Sequence, residues 1–196
     1  DELQQQPAVN VHRSRNIADY DELRSFWLSL FERKLDQLAA GGLATGRDLA
    51  AMLAAGAAGV RMGTRFVATD ESGAHPLYKQ AIVDATAADT ALVTDFSVLW
   101  PAGPEPHRVL TRALDAARHA TGDVVGEMMS FGQRSAVPRF AVMPPTASTT
   151  GDIEAFAMYA GTSAGSIHSI EPAGDVLAHI EAEAAGVEGL RRGQVA

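Results

Sequence analysis

Cysteine is absent from this chain of 196 residues. The absence excludes disulfides, thiol catalysis and zinc–thiolate sites, and it suits the reducing interior of a cell, so we expect a cytoplasmic protein. The sequence also lacks a run of about eighteen apolar residues, which predicts no transmembrane helix and no membrane partner. The first residues have neither the basic nor the apolar region of a secretory signal.

Clustered positive charge is lacking too. The formal net charge is -8, and the nearest basic pairs along the chain are scattered. Nonspecific binding to nucleic acid depends on clustered Lys and Arg, so the sequence predicts no nucleic-acid partner. The histidines show no metal-ligand spacing such as HExxH, and we predict no metal site.

An amphipathic helix is the first element that the sequence predicts. Apolar residues recur at three- and four-residue steps across residues 17–38, and Phe26, Trp27 and Phe31 make that face bulky. We interpret the face as a core or subunit contact, which makes a homo-oligomer through this helix a candidate assembly. Residues 1–38 are expected to form one segment and residues 39–196 another.

A glycine pair, Gly41–Gly42, follows this helix. Thr45 and Asp48 fit a capping box, which predicts the start of a short helix that Gly56 can end. Residues 60–67 are predicted to form a strand that carries Gly63 and Thr64.

These two glycine sites together predict a place for a phosphate. Glycine lets the backbone approach a ligand without a Cβ in the way, and exposed amides at a helix start favour an anion. We therefore predict that Gly41, Gly42, Gly63 and Thr64 surround one phosphate, with the Thr64 hydroxyl as a further donor. A tight strand-to-helix turn without a ligand is the alternative for the glycine pair alone.

The remainder of the chain predicts alternating elements. Pro76 suits the first turn of a helix, which should run to about residue 85. Residues 90–99 are β-like, and residues 108–119 are helical. Residues 128–150 are expected to be an irregular lid loop. Further helices are predicted for the segments 152–160 and 176–190.

The run AAGGLATGRDLAAMLAAGAAGVRMGTRFVATDESGAHPLYKQAI resembles the C-terminal part of the flavin-dependent nitronate monooxygenases, formerly called 2-nitropropane dioxygenases. Relatives of this family include FMN-dependent enoyl-acyl-carrier-protein reductases. The later piece MPPTASTTGDIEAFAMYAGTSAG fits the same family. The resemblance covers roughly residues 39–192. It implies an α/β fold that is part of a (β/α)8 TIM barrel, the region of strands 7 and 8, with a helical C-terminal extension.

The same resemblance implies the cofactor and the reaction. Gly41, Gly42, Gly63 and Thr64 would hold the phosphate of FMN, and the substrates would be an alkyl nitronate and O2. Nothing in residues 1–38 resembles the family's early motif or its glycine-flanked catalytic histidine, so we predict no catalytic residue in this chain. We expect a truncated form of such an enzyme that binds FMN weakly or not at all.

Three alternatives stay open. The chain can be a noncatalytic remnant that oligomerises through residues 17–38, or an enzyme similar to the enoyl reductases. It also contains the G-x-S-x-G motif of serine hydrolases at residues 161–165, followed by Asp175 and His179. A nucleophile elbow needs an entering strand, whereas residues 152–160 are predicted to be helical. Asp175 and His179 are four apart, so they can pair with each other.

Overall fold

The computed structural model describes residues 38–130 and 132–194, with side chains through residue 187. The predicted helix of residues 17–38, and the oligomer contact assigned to it, therefore lie outside the described residues, except for Leu38. That residue is not helical: it begins strand β1, Leu38–Ala40. The strand was obscured in the sequence because the helical pattern runs straight into it.

A β-α-β unit opens the described chain. Strand β1 lies parallel to β2, Gly59–Arg61, with Ala39 opposite Val60. Helix α1, Gly46–Ala54, connects them and has the predicted capping box between Thr45 and Asp48. Gly56 follows its end at a φ of +99°, a conformation that glycine adopts without strain. The fold is therefore α/β at the predicted glycine sites.

The strand predicted for residues 60–67 is mostly wrong. Strand β2 ends at Arg61, and a short helix α2, Gly63–Val67, begins two residues later. Helix α3, Pro76–Val83, starts at the predicted proline, and His75 caps it by accepting a hydrogen bond from the Leu77 amide.

Two antiparallel sheets follow. Strands β3, Thr90–Val93, and β4, His107–Leu110, pair with each other, and helix α4, Thr111–His119, continues directly from β4. The predicted helix of residues 108–119 thus begins three residues late. In the second sheet, the central strand β5, Val124–Ser130, lies between β6, Gln133–Pro138, and β7, Thr150–Gly151.

This second sheet corrects the predicted lid loop of residues 128–150. Much of that segment is a β-hairpin, and the irregular part is residues 139–149. Strand β6 has only one buried residue, Val137, so its sequence does not need to alternate between apolar and polar residues. Without that alternation the sequence does not indicate a strand.

The helix predicted for residues 152–160 is also wrong. Only a 3-10 turn, Ile153–Ala155, forms, and the chain then runs extended beside β4. The Leu110 amide donates to Met158 O, and the Ala160 amide donates to Arg108 O. Four successive residues from Ala155 to Met158 are buried, and periodicity cannot distinguish helix from strand in such a run.

Helix α5, Ala173–Gln194, confirms the predicted C-terminal helix and packs across α1. Its Val176 and Ile180 bury Met62 just before α2. A larger core joins α3 to the extended segment through Tyr78, Ile82 and Met158, and another core lies under the second sheet. These contacts hold both predicted glycine sites against the C-terminal half of the chain.

Candidate anion-binding site

The glycine turn, residues 41–42, follows the carboxyl end of β1. Gly41 and Gly42 are exposed, with φ of +94° and +72°. Two successive residues in this region require glycine, since side chains with a Cβ are strained there. A Cβ on Gly41 would meet nothing within 4 Å, so open space lies in front of the turn.

The first turn of α1 is already occupied by side chains. Asp48 Oδ2 accepts hydrogen bonds from the amides of Ala44 and Thr45, both at 2.9 Å. The Gly46 amide donates to Glu183 Oε2 of α5 at 2.8 Å. An anion near the glycine turn would therefore meet the turn itself and not the start of α1.

The charge of Asp48 is stabilised where it lies. Burial acts to raise the pKa of its carboxyl group, but hydrogen bonds from the Ala44 and Thr45 amides and the Thr45 hydroxyl outweigh burial and lower that pKa. Asp48 is thus ionised at neutral pH and anchors the residues that follow the glycine turn.

The second predicted site, Gly63 and Thr64, forms the first turn of α2. Within the described residues no side chain caps this helix. Gly63 is exposed, and a Cβ on it would meet nothing within 4 Å. The Thr64 Oγ1 accepts a hydrogen bond from the Gly161 amide at 3.0 Å, so the hydroxyl proton of Thr64 stays available to a ligand.

Residues 161–163 form a third segment of the site, which was not among the residues predicted to hold the phosphate. A Cβ on Gly42 would lie 3.2 Å from Thr162 Oγ1. A Cβ on Gly161 would lie 3.5 Å from Thr64 Oγ1 and 3.9 Å from the Gly42 amide nitrogen. The structure therefore brings both predicted glycine sites together at Gly161. The glycine-rich G-x-S-x-G motif is the feature of the sequence that contains this segment.

The hydrolase alternative does not fit this geometry. The entering segment is extended and not helical, but Ser163 is buried inside the 3-10 helix Thr162–Ser166. His179 pairs through Nδ1 with Glu171 at 3.0 Å, which also corrects the pairing expected with Asp175. A nucleophilic serine needs access to substrate and a histidine free to act as its base.

The three segments fit a phosphate group on three grounds. Open space in front of Gly41 and Gly63 leaves room for it, their backbones can approach it without a Cβ, and Thr64 can donate a hydrogen bond. Among the described side chains, those of residues 38–130 and 132–187, there is no cluster of His, Asp or Glu that could hold a metal ion. In the part of the chain that the structure describes, no helix is both long and apolar enough to cross a membrane.

A cavity of about 520 Å³ lies beside this site. Gly63, Thr64 and Gly161 line one side of it, and Tyr78 and Tyr159 line another. Pro144 and Pro145, from the irregular stretch that remains of the predicted lid, also contact it. The α/β fold and this site define a protein that can hold a phosphate-bearing ligand at the ends of two parallel strands.

Comparison with known families identifies the family of this chain. The model of the family described as nitronate monooxygenase matches residues 35–183. This chain belongs to the nitronate monooxygenase family.

Two similar proteins are much longer than the stretch that they share with this chain. A probable nitronate monooxygenase of Staphylococcus saprophyticus is 46% identical over 70 residues, which are 33% of this chain and 20% of the relative. Another, from Staphylococcus aureus strain Newman, is 27% identical over 143 residues, which are 73% of this chain and 37% of the relative. The chain thus spans well under half the length of these curated relatives.

Two solved structures are similar in fold. FabK from Thermotoga maritima has a TM-score of 0.53 at 29% identity, and the match covers 80% of this chain and 46% of FabK. A nitroalkane oxidase from Streptomyces ansochromogenes has a TM-score of 0.54 at 28% identity, covering 78% and 40% of the two chains. Both likenesses include most of the described residues.

Proposed function

We propose that this chain provides the phosphate-binding part of an FMN-dependent oxidoreductase that oxidises alkyl nitronates with O2. The convergence of the glycine turn, Gly63–Thr64 and Gly161 around open space is the observation that carries the proposal. Membership of the nitronate monooxygenase family supports the reaction type. The β-α-β unit of β1, α1 and β2 supports the further proposal that these residues are the strand 7 and 8 region of a (β/α)8 barrel.

The residues of this chain have a binding role in this proposal. Bound FMN supplies the electron transfer. Backbone amides of the glycine turn and of α2, with the Thr64 hydroxyl, bind the phosphate, and the Gly161 amide holds the Thr64 side chain in place. No side chain of the described site is assigned as a catalytic base.

Binding of FMN compared with riboflavin tests the phosphate assignment. The two ligands share the flavin ring, so their difference in affinity measures the phosphate contribution. The described residues surround only the phosphate end, and we expect weak binding of FMN and a preference over riboflavin of about tenfold. Equilibrium dialysis with the visible flavin spectrum measures both dissociation constants.

Gly63 offers a matched pair of variants. Aspartate and asparagine have the same shape, and the space beyond Gly63 admits either. Both variants add a side chain to the backbone that approaches the phosphate, so we expect Gly63→Asn to weaken the preference for FMN and Gly63→Asp, with its negative charge, to abolish it. Gly186→Asp is the control for a new charge elsewhere, on α5, because Gly186, like Gly63, lies in a helix, has no positive φ and has free space.

The phosphate assignment requires that a negative charge at Gly63 lowers the preference for FMN over riboflavin. Equal affinity of the unchanged chain for FMN and riboflavin would refute it, as would an unchanged preference in Gly63→Asp. A stoichiometric yellow complex of the purified chain would separately exclude the noncatalytic remnant. Circular dichroism of each variant checks that the fold is retained.

A further inference from the structure

Arg108 is a cation at the edge of the cavity beside the phosphate site. It lies on β4 opposite Leu92, is exposed, and lines the cavity together with Tyr159 and Gly161. Its Nη1 donates to Thr90 O at 3.3 Å and to Thr90 Oγ1 at 3.2 Å. These contacts use one nitrogen of the guanidinium and orient the group.

No acidic partner accompanies this guanidinium among the described side chains. Within residues 38–130 and 132–187, no carboxylate oxygen lies within 4.0 Å of an Arg108 nitrogen. By contrast, Arg112 and Arg118 on the following helix pair with Glu154 and Asp95. Arg108 therefore has donors left for a ligand, since a guanidinium has five N–H groups.

The remainder of the cavity wall is mostly apolar. The Tyr78 hydroxyl donates to Tyr159 O at 2.5 Å, and the Tyr159 hydroxyl donates to Val142 O at 2.6 Å. Both phenols are thus satisfied by backbone, so the two residues contribute chiefly ring surface. Of the described residues that line the cavity, Arg108 is the charged one.

We propose that Arg108 binds a planar oxyanion whose apolar chain occupies this cavity. The inference rests on the proposed function and gives its substrate class: an amphipathic anion instead of a small polar one. A nitronate and a carboxylate are both planar groups with two oxygens, and both match the paired N–H groups of a guanidinium. The anion is the reacting nitronate or a separate carboxylate on the same substrate.

The experiment measures binding of chosen probes to the full chain without added flavin. Octanoate carries a carboxylate, and octanol is its neutral counterpart. The nitronate anion of 1-nitrooctane tests the reacting group. Isothermal titration calorimetry gives the dissociation constants. We expect octanoate to bind at least about tenfold more tightly than octanol, because a charge-assisted hydrogen bond is stronger than a neutral one.

Two arginine variants separate recognition by Arg108 from general charge effects. Arg108→Gln should remove the preference of octanoate over octanol and leave octanol binding unchanged. Arg112→Gln removes a positive charge four residues away that pairs with Glu154, and it should keep the preference. If the nitronate also depends on Arg108, the bound oxyanion is the reacting group. If octanoate alone depends on it, a separate carboxylate is bound.

Equal binding of octanoate and octanol would overturn the proposal, and so would a preference that survives Arg108→Gln. Failure to bind any of the three probes would overturn it as well. These outcomes are distinct from failure of the proposed function. Loss of the FMN preference over riboflavin refutes the phosphate assignment, whereas the octanoate titrations contain no flavin and no phosphate.

Discussion

At the scale of single residues, Asp48 connects the glycine turn to α1. Its carboxylate accepts three hydrogen bonds, from the Ala44 and Thr45 amides and the Thr45 hydroxyl. We expect Asp48→Asn to lower the free energy of unfolding by about 1 kcal/mol, the typical cost of a lost cap. Urea denaturation measures the change.

Because of the same contacts, the contribution of Asp48 to the free energy of unfolding depends on pH. Its folded-state pKa lies below the ordinary 3.8, so its stabilising effect is present above that value and is lost as pH falls through the lower folded-state pKa. The difference between the unchanged chain and Asp48→Asn should therefore shrink in strong acid. A difference that stays constant down to acid pH would contradict this account.

Asp89 provides a control for the proposed role of Asp48 in ligand binding. Its carboxylate likewise accepts hydrogen bonds from the amide and hydroxyl of a threonine, Thr86, but it lies far from the glycine turn in sequence and in an exposed 3-10 turn. Asp48→Asn should reduce the preference for FMN over riboflavin, whereas Asp89→Asn should not. Equal losses in both variants would show that Asp48 has no specific role at the turn.

Single residues of the site were predictable where local chemistry determines them. The capping box of Thr45 and Asp48 is a short-range pattern, and the structure confirms it. Glycine is required at residues 41–42 for their positive φ, although the sequence alone left a ligand-free turn as an alternative. The contact of Gly161 with Thr64 spans 97 residues, and no local pattern could supply it.

At the scale of elements, α1 and α5 approach closely at Gly46. A Cβ on Gly46 would lie 2.2 Å from Ile180 O and 2.7 Å from the Ala184 nitrogen, both in the backbone of α5. We expect Gly46→Ala to lower the free energy of unfolding by about 1–3 kcal/mol, since the helices have to separate. Thermal or urea unfolding measures it.

Gly186 of α5 is the matched control for this substitution. A Cβ there would meet nothing within 4 Å, so Gly186→Ala should raise the free energy of unfolding by up to about 1 kcal/mol through helix propensity. Opposite signs for the two glycine-to-alanine changes are the expected result. A neutral Gly46→Ala would show that the helices do not pack as closely as described.

Elements were predictable where they are amphipathic or capped, as in α1, α3 and α5. The extended segment beside β4 was predicted as a helix because burial on all sides removes the period that distinguishes strand from helix. Strand β6 was not predicted for the opposite reason, since four of its residues are exposed. Both segments form strands because of neighbours that are distant in sequence, and intrinsic residue propensity carries no information about such neighbours.

At the scale of the whole molecule, the buried Tyr78 makes the free energy of unfolding depend on pH in the alkaline range. Burial, with a smaller contribution from nearby Tyr159, raises the pKa of Tyr78 well above its ordinary 10.0. The folded state therefore holds this proton more tightly than the unfolded state. Its contribution is complete below pH 10 and is lost as pH rises further.

Tyr78→Phe tests this dependence. The variant loses the hydrogen bond to Tyr159 O, so it should be less stable at neutral pH. Above pH 10 its free energy of unfolding should fall less steeply with pH, by up to about 1.4 kcal/mol per pH unit. Urea titrations between pH 8 and about pH 11.5 measure both slopes. Parallel slopes would show that Tyr78 ionises equally in both states.

The bond from the Gly46 amide to Glu183 also has a consequence for how the protein is made. Donor and acceptor are 137 residues apart, so the ribosome must synthesise most of the chain before the acceptor exists. During synthesis the residues after the glycine turn keep only their local cap from Asp48. The first turn of α1 is therefore completed late, after α5 has emerged and folded back, and any nascent chain shorter than that leaves the Gly46 amide without this acceptor.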